Sequence, residues 1–173
     1  MNKKFKQSNV LIWFLDEDLR KSAEYLTNVA LGKTIDGCFV VMSTALLYFI
    51  GVRNKKAHEY YFGRDRREET MDRFFPAWPF RKPPQFRHYM SRPVKWVSMC
   101  KEHFDCVKPY FDALLDEYDY QFGRRHPFAN FSDWVDADMA IKIPEMLIKI
   151  CARNPETEIP VRWKETENER KHK

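Results

Sequence analysis

Glycine is scarce. Only five glycines occur in 173 residues, none in a G-x-G-x-x-G or G-x-x-x-x-G-K pattern, so no backbone cradle for a dinucleotide or a P-loop nucleotide is encoded. The four cysteines, Cys38, Cys100, Cys106 and Cys151, include no C-x-x-C pair, which excludes a disulfide framework or a zinc ribbon. Long hydrophobic runs are missing too. The longest nearly unbroken one, Cys38 to Ile50, spans 13 residues, short of the roughly 18 to 20 that cross a bilayer, and no membrane helix is expected. The basic start of the chain is followed by an apolar stretch that Asp16, Glu17 and Asp18 interrupt, unlike a cleaved leader. The chain reads as cytosolic, with no cofactor and no membrane partner.

What remains is enough for one core. Hydrophobic residues make up 44 % of the chain and charged residues 32 %, too apolar for disorder and too polar for a membrane bundle. The periodicity predicts an all-α fold: a single compact helical domain over residues 1–153, with a proline- and aromatic-rich ordered loop, and a charged tail over 154–173. A first helix runs from near Leu19 to about Leu31, where Gly32 stops it. The segment from Cys38 to Ile50, apolar on all sides and closed by Gly51, reads as a central buried helix. Residues 54–73 read as one charged helix. Phe74 to Pro84 holds four prolines in eleven positions and cannot be helical. Arg92 to Phe122 carries apolar residues at spacings of three and four, with Gly123 as its stop and Pro109 as a point of kink or division. Phe128 to Met139 and Ile143 to Ala152 give two more short helices.

The charge is uneven. From Val52 to Arg92 there are eleven Lys/Arg against five Asp/Glu, a local excess of +6 where the whole chain carries +5. Nine aromatics share this segment. Guanidinium groups bind phosphates and rings stack on exposed bases, so the pattern suits a nucleic acid or a phosphorylated ligand. Arg64, Arg66, Arg67, Arg81 and Arg87 are the candidate phosphate contacts, with Trp78 and Phe80 as stacking rings. The competing reading is a solvated helix face beside a loop packed on the core.

Several side chains have the chemistry for a reaction. Asp16 and Asp18 flank Glu17 on a turn, where a carboxylate can hold an amine or act as a general base, or merely cap a helix. Lys33, Thr34 and Asp36 fall in the link expected between the first two helices, beside Gly32 and Gly37. A lysine there, with the N–H groups of a following helix, suits a phosphate or an oxyanion. Cys100-x-x-His103-x-x-Cys106 is the one hint of a metal, but three ligands at i, i+3 and i+6 spread over about 120° of a helix, so no metal is expected. Glu117 sits in a row of aromatics, either paired to an arginine or raised in pKa. Arg124 and His126 close the long helix, where its dipole favours cations.

Leu15-Asp-Glu-Asp-Leu19, Met42-Ser-Thr-Ala-Leu46, Lys95-Trp96-Val97 and Glu117-Tyr118-x-Tyr120-x-Phe122-Gly123-Arg124-x-His126 together resemble a group of small helical phage proteins. That group reads roughly LDxDP, then a lysine-rich helix ending in LSTA, then WxRES and EYxYRYGKxH. The resemblance covers about residues 10–126 and implies one of two activities directed at DNA bases. One is thymine hypermodification, as in the α-glutamyl/putrescinyl thymine pyrophosphorylases or amino acid:DNA transferases. The other is pyrimidine-dimer DNA glycosylase activity. The chain departs from the group where it has Asn28, Val29 and Ala30 in place of D-K-H, and Met99 and Cys100 in place of Glu-Ser.

The resemblance implies an enzyme of the host cytoplasm acting on DNA, with a small amine or amino acid as co-substrate. Pyrophosphate leaves a 5-hydroxymethyluracil-derived base and the amine takes its place. Lys33 and Arg64, Arg66 and Arg67 would receive the departing phosphates, and Asp16, Asp18 or Glu117 would deprotonate the amine. In a glycosylase, Lys33 would pair with Asp36 or Glu117, and the base would leave the stack. Thr34, Arg81, Arg87, Arg124 and His126 complete the phosphate contacts, and Trp96 and Tyr118 join the stacking rings. The third reading is a non-catalytic helical nucleic-acid-binding protein. All three share an electrostatic premise: DNA affinity should fall steeply and linearly in a plot of log affinity against log salt. A flat response in that titration removes the premise.

Overall fold

The computed structural model describes residues 16–89 and 91–139. Within them the protein is all-α, with seven α-helices, one π-helical turn and no strand. Helices α1 (Leu19–Glu24), α2 (Asn28–Phe49), α3 (Lys55–Phe62), α4 (Arg67–Phe74), α5 (Arg92–Val97), α6 (Lys101–Phe122) and α7 (Ala129–Trp134) follow in order, and the π turn Val135–Met139 extends α7. The second short helix expected at Ile143–Ala152 and the tail at 154–173 lie outside the described residues.

Helix α2 is the axis of the fold. Its buried positions, from Leu31 and Ile35 through Cys38, Met42 and Leu46 to Phe49, occupy more than one face, so neighbours must cover it on several sides. By length and composition it is long and apolar enough to cross a bilayer, contrary to the expectation from the shorter run, but 61 % of its most apolar window is buried within the fold. That is the behaviour of a core helix. Helix α6 covers one side, α5 another, and α1 packs on α6. Phe49, at the end of α2, meets Phe104, near the start of α6, with ring centroids 6.1 Å apart, so the two long helices run antiparallel. Burial of Cys38 pushes its thiol pKa far up, which makes it an inert filler.

Three boundaries differ from the sequence reading, each for a local reason. Helix α1 ends at Glu24, and α2 starts at Asn28 with the Thr27 hydroxyl accepting the Ala30 N–H. Gly32 does not stop anything, because the helix is already capped upstream and runs straight through it. Residues 54–73 form two helices because the backbone turns extended at Gly63, ψ 160°; a Cβ there would lie 2.8 Å from the Glu59 carbonyl oxygen, so the turn needs glycine. Residues 92–122 divide at Ser98–Cys100, not at Pro109, which sits inside α6. Gly123 does close α6, in the left-handed conformation at φ 61°, which glycine adopts without strain.

The proline-rich segment is an ordered cover. Phe75 is buried, Trp78 donates its indole N–H to the Lys82 carbonyl at 2.9 Å, and Trp134 of α7 donates to the Pro76 carbonyl at 2.8 Å. Rings of Phe75, Trp78, Phe80, Phe131 and Trp134 meet mostly edge to face, the favoured aromatic geometry. Opposite the loop, Lys108 of α6 is nearly buried. Its ammonium pairs with Asp112 at 2.7 Å and with Asp136 of the π turn at 2.9 Å, and Asp112 also accepts from Ser132 of α7. This network ties α7 to α6.

Replacing Lys108 with Met should lower the free energy of unfolding by about 1–2 kcal/mol, less than the 3–5 kcal/mol of a wholly buried pair, because both carboxylates keep contact with water. Urea unfolding measures this. Asp136→Asn should cost under about 1 kcal/mol, as expected of an exposed partner.

Candidate active site

The candidate residues fall into separate groups. Asp18 caps α1, its carboxylate accepting from Arg20 N–H at 3.0 Å and Lys21 N–H at 3.2 Å, and Asp16 accepts from Asp18 N–H at 2.8 Å. Both carboxylates thus order the turn. Among the described residues Glu117 pairs with neither an arginine nor a lysine; it accepts from the Gln121 amide one turn on. Trp96 stacks on buried His103 at 3.9 Å with the rings nearly parallel, so one of its faces is occupied. His103 lies near the start of α6 and His126 beyond its end, and a 22-residue helix is about 33 Å long. Trp96 therefore belongs to the opposite end of the bundle from His126.

Lys33, Thr34 and Asp36 are not in a link. They lie within α2, two turns past its first residue, so no free N–H groups of a helix start accompany them. Thr34 is buried and donates to the Ala30 carbonyl at 2.7 Å, which turns it away from any phosphate. Lys33 and Asp36 lie on the exposed side of α2 and, three apart, share a face, the Asp36 carboxyl being partly covered by neighbouring elements.

Asp36 is where separate parts of the chain converge. Its carboxyl pKa is raised, chiefly by burial, while His126 and Arg87 pull it back down. The His126 pKa is lowered, chiefly by burial, with Asp36 and Asp119 opposing and Arg124 adding to the fall. The pair thus draws together from opposite sides: the acid is harder to ionise and the imidazole harder to protonate. Helix α2 supplies Asp36, the end of α6 and the turn after it supply Asp119, Arg124 and His126, and the loop supplies Arg87.

The imidazole is held in one tautomer. Phe128 N–H donates to His126 Nδ1 at 3.0 Å, so in the neutral ring the proton sits on Nε2. The His126 N–H donates to Asp119 at 3.3 Å, and the Tyr118 ring stands edge-on to the imidazole at 4.6 Å. Phe39, one turn after Asp36, stacks on Phe128 at 4.0 Å, and Phe80 packs edge to face against both. These rings form an apolar wall beside the polar pair. Phe80 brings Arg81 next to this wall, and Arg67 donates to the Arg81 carbonyl at 2.7 Å. Arg66 lies over the Tyr60 ring at 3.9 Å, and Arg64 is exposed.

The structure therefore joins Lys33, Asp36, Arg87, Arg124, His126 and Tyr118, and leaves Asp16, Asp18 and Trp96 in other roles. Trp78 and Phe80, read as stacking rings for bases, pack edge to face on each other and on rings of α2, α7 and Phe128. Sequence reading missed Asp119, Phe39 and Phe128. Asp119 was legible, lying inside the Glu117–His126 motif, whereas the two phenylalanines look like any core residue.

The cysteine–histidine series of α6 does not assemble. Cys100 is disulfide-bonded, a bond the sequence reading did not foresee. Among the described residues no three His, Cys, Asp or Glu side chains group to hold a metal ion. Comparison with family models, curated proteins and solved structures gives no match.

The raised Asp36 pKa carries a sign for stability. Ionised Asp36 costs the folded state, so the cost is absent below the unfolded carboxyl pKa near 3.8 and grows as pH rises through the folded value. Asp36→Asn should then melt above the wild type at neutral pH, with the gap closing as the pH approaches 4. Paired melting curves across that range check this; a gap that is constant with pH would refute it.

Proposed function

We propose that the protein is an enzyme acting on a base in DNA, with Asp36 and His126 as its acid–base pair and the surrounding lysine and arginines as its phosphate contacts. One observation carries this reading: an aspartate and a histidine from distant parts of the chain lie within electrostatic reach of each other, each shifted toward its neutral form, with Arg87 acting on the one and Arg124 on the other. Shifted titratable pairs of this kind concentrate at functional sites, and a packing role would not need the basic rim. The resemblance to phage thymine-modifying proteins supplies the substrate: a pyrimidine bearing a pyrophosphorylated 5-hydroxymethyl group.

In that reaction the C–O bond to pyrophosphate breaks and a C–N bond to the incoming amine forms. Asp36, a stronger base for its raised pKa, takes the proton the amine loses on bonding to carbon. His126, with its proton fixed on Nε2, donates a hydrogen bond to the developing oxyanion without itself carrying charge. Lys33, Arg87 and Arg124 neutralise the pyrophosphate as it leaves. A glycosylase would use the same pair differently, with Asp36 activating a water for attack on the sugar carbon while the free base departs.

A second reading, a nucleic-acid-binding protein without catalysis, is favoured by the arginines at the α3–α4 corner. Arg64, Arg66 and Arg67 are exposed, Arg67 bonds the Arg81 carbonyl, and none of the four arginines forms a salt bridge among the described residues. The two readings part on mutation. Under the enzyme reading, Asp36→Asn keeps DNA binding and lowers turnover by about 100-fold or more, the usual contribution of a general base.

The deciding measurement is mass spectrometry of nucleosides and free bases after incubation with DNA carrying thymine, 5-hydroxymethyluracil, its pyrophosphate or pyrimidine dimers, with and without an amine pool. A heavier nucleoside is expected. A released base would assign the glycosylase. An unchanged spectrum from every substrate would overturn catalysis in favour of binding alone.

A further inference from the structure

We infer that Thr44 is a positioning residue: its buried hydroxyl fixes the 85–87 backbone on α2 and so sets the Arg87 guanidinium beside Asp36. This deepens the reading of Asp36 and His126 as the working pair and rests on it.

The loop from Pro84 to Tyr89 has no regular structure of its own, so side chains of the helices must hold it. His58 of α3 donates from Nε2 to the Pro84 carbonyl at 2.9 Å, and the Tyr48 hydroxyl of α2 reaches the Tyr89 carbonyl at 3.5 Å. Phe86 stacks between Tyr48 and Tyr89. These contacts hold the two ends of the loop. Thr44 holds its middle, sharing one hydroxyl proton between the Arg87 carbonyl at 3.1 Å and the Gln85 carbonyl at 3.3 Å. The Gln85 carbonyl also accepts from Arg87 N–H at 3.0 Å, which closes the backbone tightly at that point. The next residue, His88, adopts φ 52°, a left-handed conformation unfavourable for a side chain with a Cβ, and its Nδ1 is buried without a hydrogen bond. A loop carrying those two costs keeps its shape only because its surroundings impose it.

Thr44 is well placed to transmit that shape to the site. It lies eight residues after Asp36 on the same helix, about 12 Å along its axis, a gap that the long Arg87 side chain narrows to within electrostatic reach. The hydroxyl is fully buried, so water does not replace it when it is lost. Valine has nearly the same shape as threonine but cannot donate, and would leave the Arg87 carbonyl without this bond. The loop would then be free to carry Arg87 away from Asp36.

The groups that act on Asp36 are His126 and Arg87; those on His126 are Asp36, Asp119 and Arg124. Withdrawing Arg87 removes the cation that favours Asp36 ionisation. A less ionised Asp36 supports the imidazolium less, so the two midpoints should separate from their wild-type values in opposite directions.

The test is an NMR titration of the Asp36 carboxyl and the His126 ring in the full chain. In Thr44→Val the Asp36 midpoint should rise by roughly half a pH unit and that of His126 should fall, with Thr44→Ser restoring both. Arg87→Gln, a change at an exposed side chain, calibrates the full effect. Unchanged midpoints in folded Thr44→Val, or in Arg87→Gln, would overturn the inference; should the valine variant not fold, Thr44→Ala is judged by the same titration. The catalytic reading is tested apart from this, by turnover in Asp36→Asn. Retained turnover there would end that reading while leaving the titration result intact.

Discussion

A helix that is apolar on more than one side has no stable place at a surface, and α2 imposes that constraint on the whole chain. Asn28–Phe49 must be enclosed, and among the described residues only one other long helix and five short α-helices are present to do it. Antiparallel α6 and the short α5 cover what helices can cover. The rest falls to an irregular segment, and that explains its composition. A loop packed on a core needs large rings to fill volume and prolines to limit the conformations it would lose on folding. Its carbonyls are then satisfied from outside by Trp134, His58, Thr44 and Tyr48, and from within by Trp78.

The same constraint builds the site. Because the covering loop lies across α2, Arg87 lies near Asp36; because α6 runs antiparallel to α2, the turn after its last residue returns to the first half of α2 and carries His126 there. No segment was shaped for chemistry alone. The stacked Phe39 and Phe128 rings that seal the core at this point also remove water from one side of the pair, and that partial drying is the largest cause of both shifts. Packing and titration are therefore one effect seen twice.

Much of this was legible in the sequence where the signal is local. The period of α6, the glycine that ends it, the buried character of α2 and the irregularity of the proline segment all follow from spacing and from residue chemistry within a few positions. The boundaries that went astray were decided by competition. Gly32 looks like a stop, yet Thr27 had already capped the helix, and a glycine in an established helix costs only about 1 kcal/mol. Gly63 was passed over in a charged run, although it is where the backbone leaves the helix and where a side chain would strike a carbonyl. The site was half legible: Asp36, Arg87, Arg124 and His126 each stood out by type, but they were assigned separate tasks. Their convergence depends on the antiparallel pairing of α2 and α6 and on the path of the loop, and neither is written in local spacing.

Using the aromatic segment as a cover also restricts how a nucleic acid can be held. Trp78 and Phe80 are half-buried and meet neighbouring rings edge to face, so a base stacked on either would compete with the packing that covers the core. The cations are not restricted in this way. Arginines on the outer side of the cover, at Arg64, Arg66, Arg67 and Arg81, face solvent, while the shifted pair lies where the cover meets α2 and the end of α6. A polyanion drawn to the outer arginines would therefore meet Asp36 and His126 at the edge of the cover, with charge fixing the backbone and the half-dried pair reserved for whatever single group is presented to it. Under the proposed function, binding at the outer arginines and reaction at the pair would be separable, because Arg64, Arg66, Arg67 and Arg81 belong to elements other than those of Asp36 and His126.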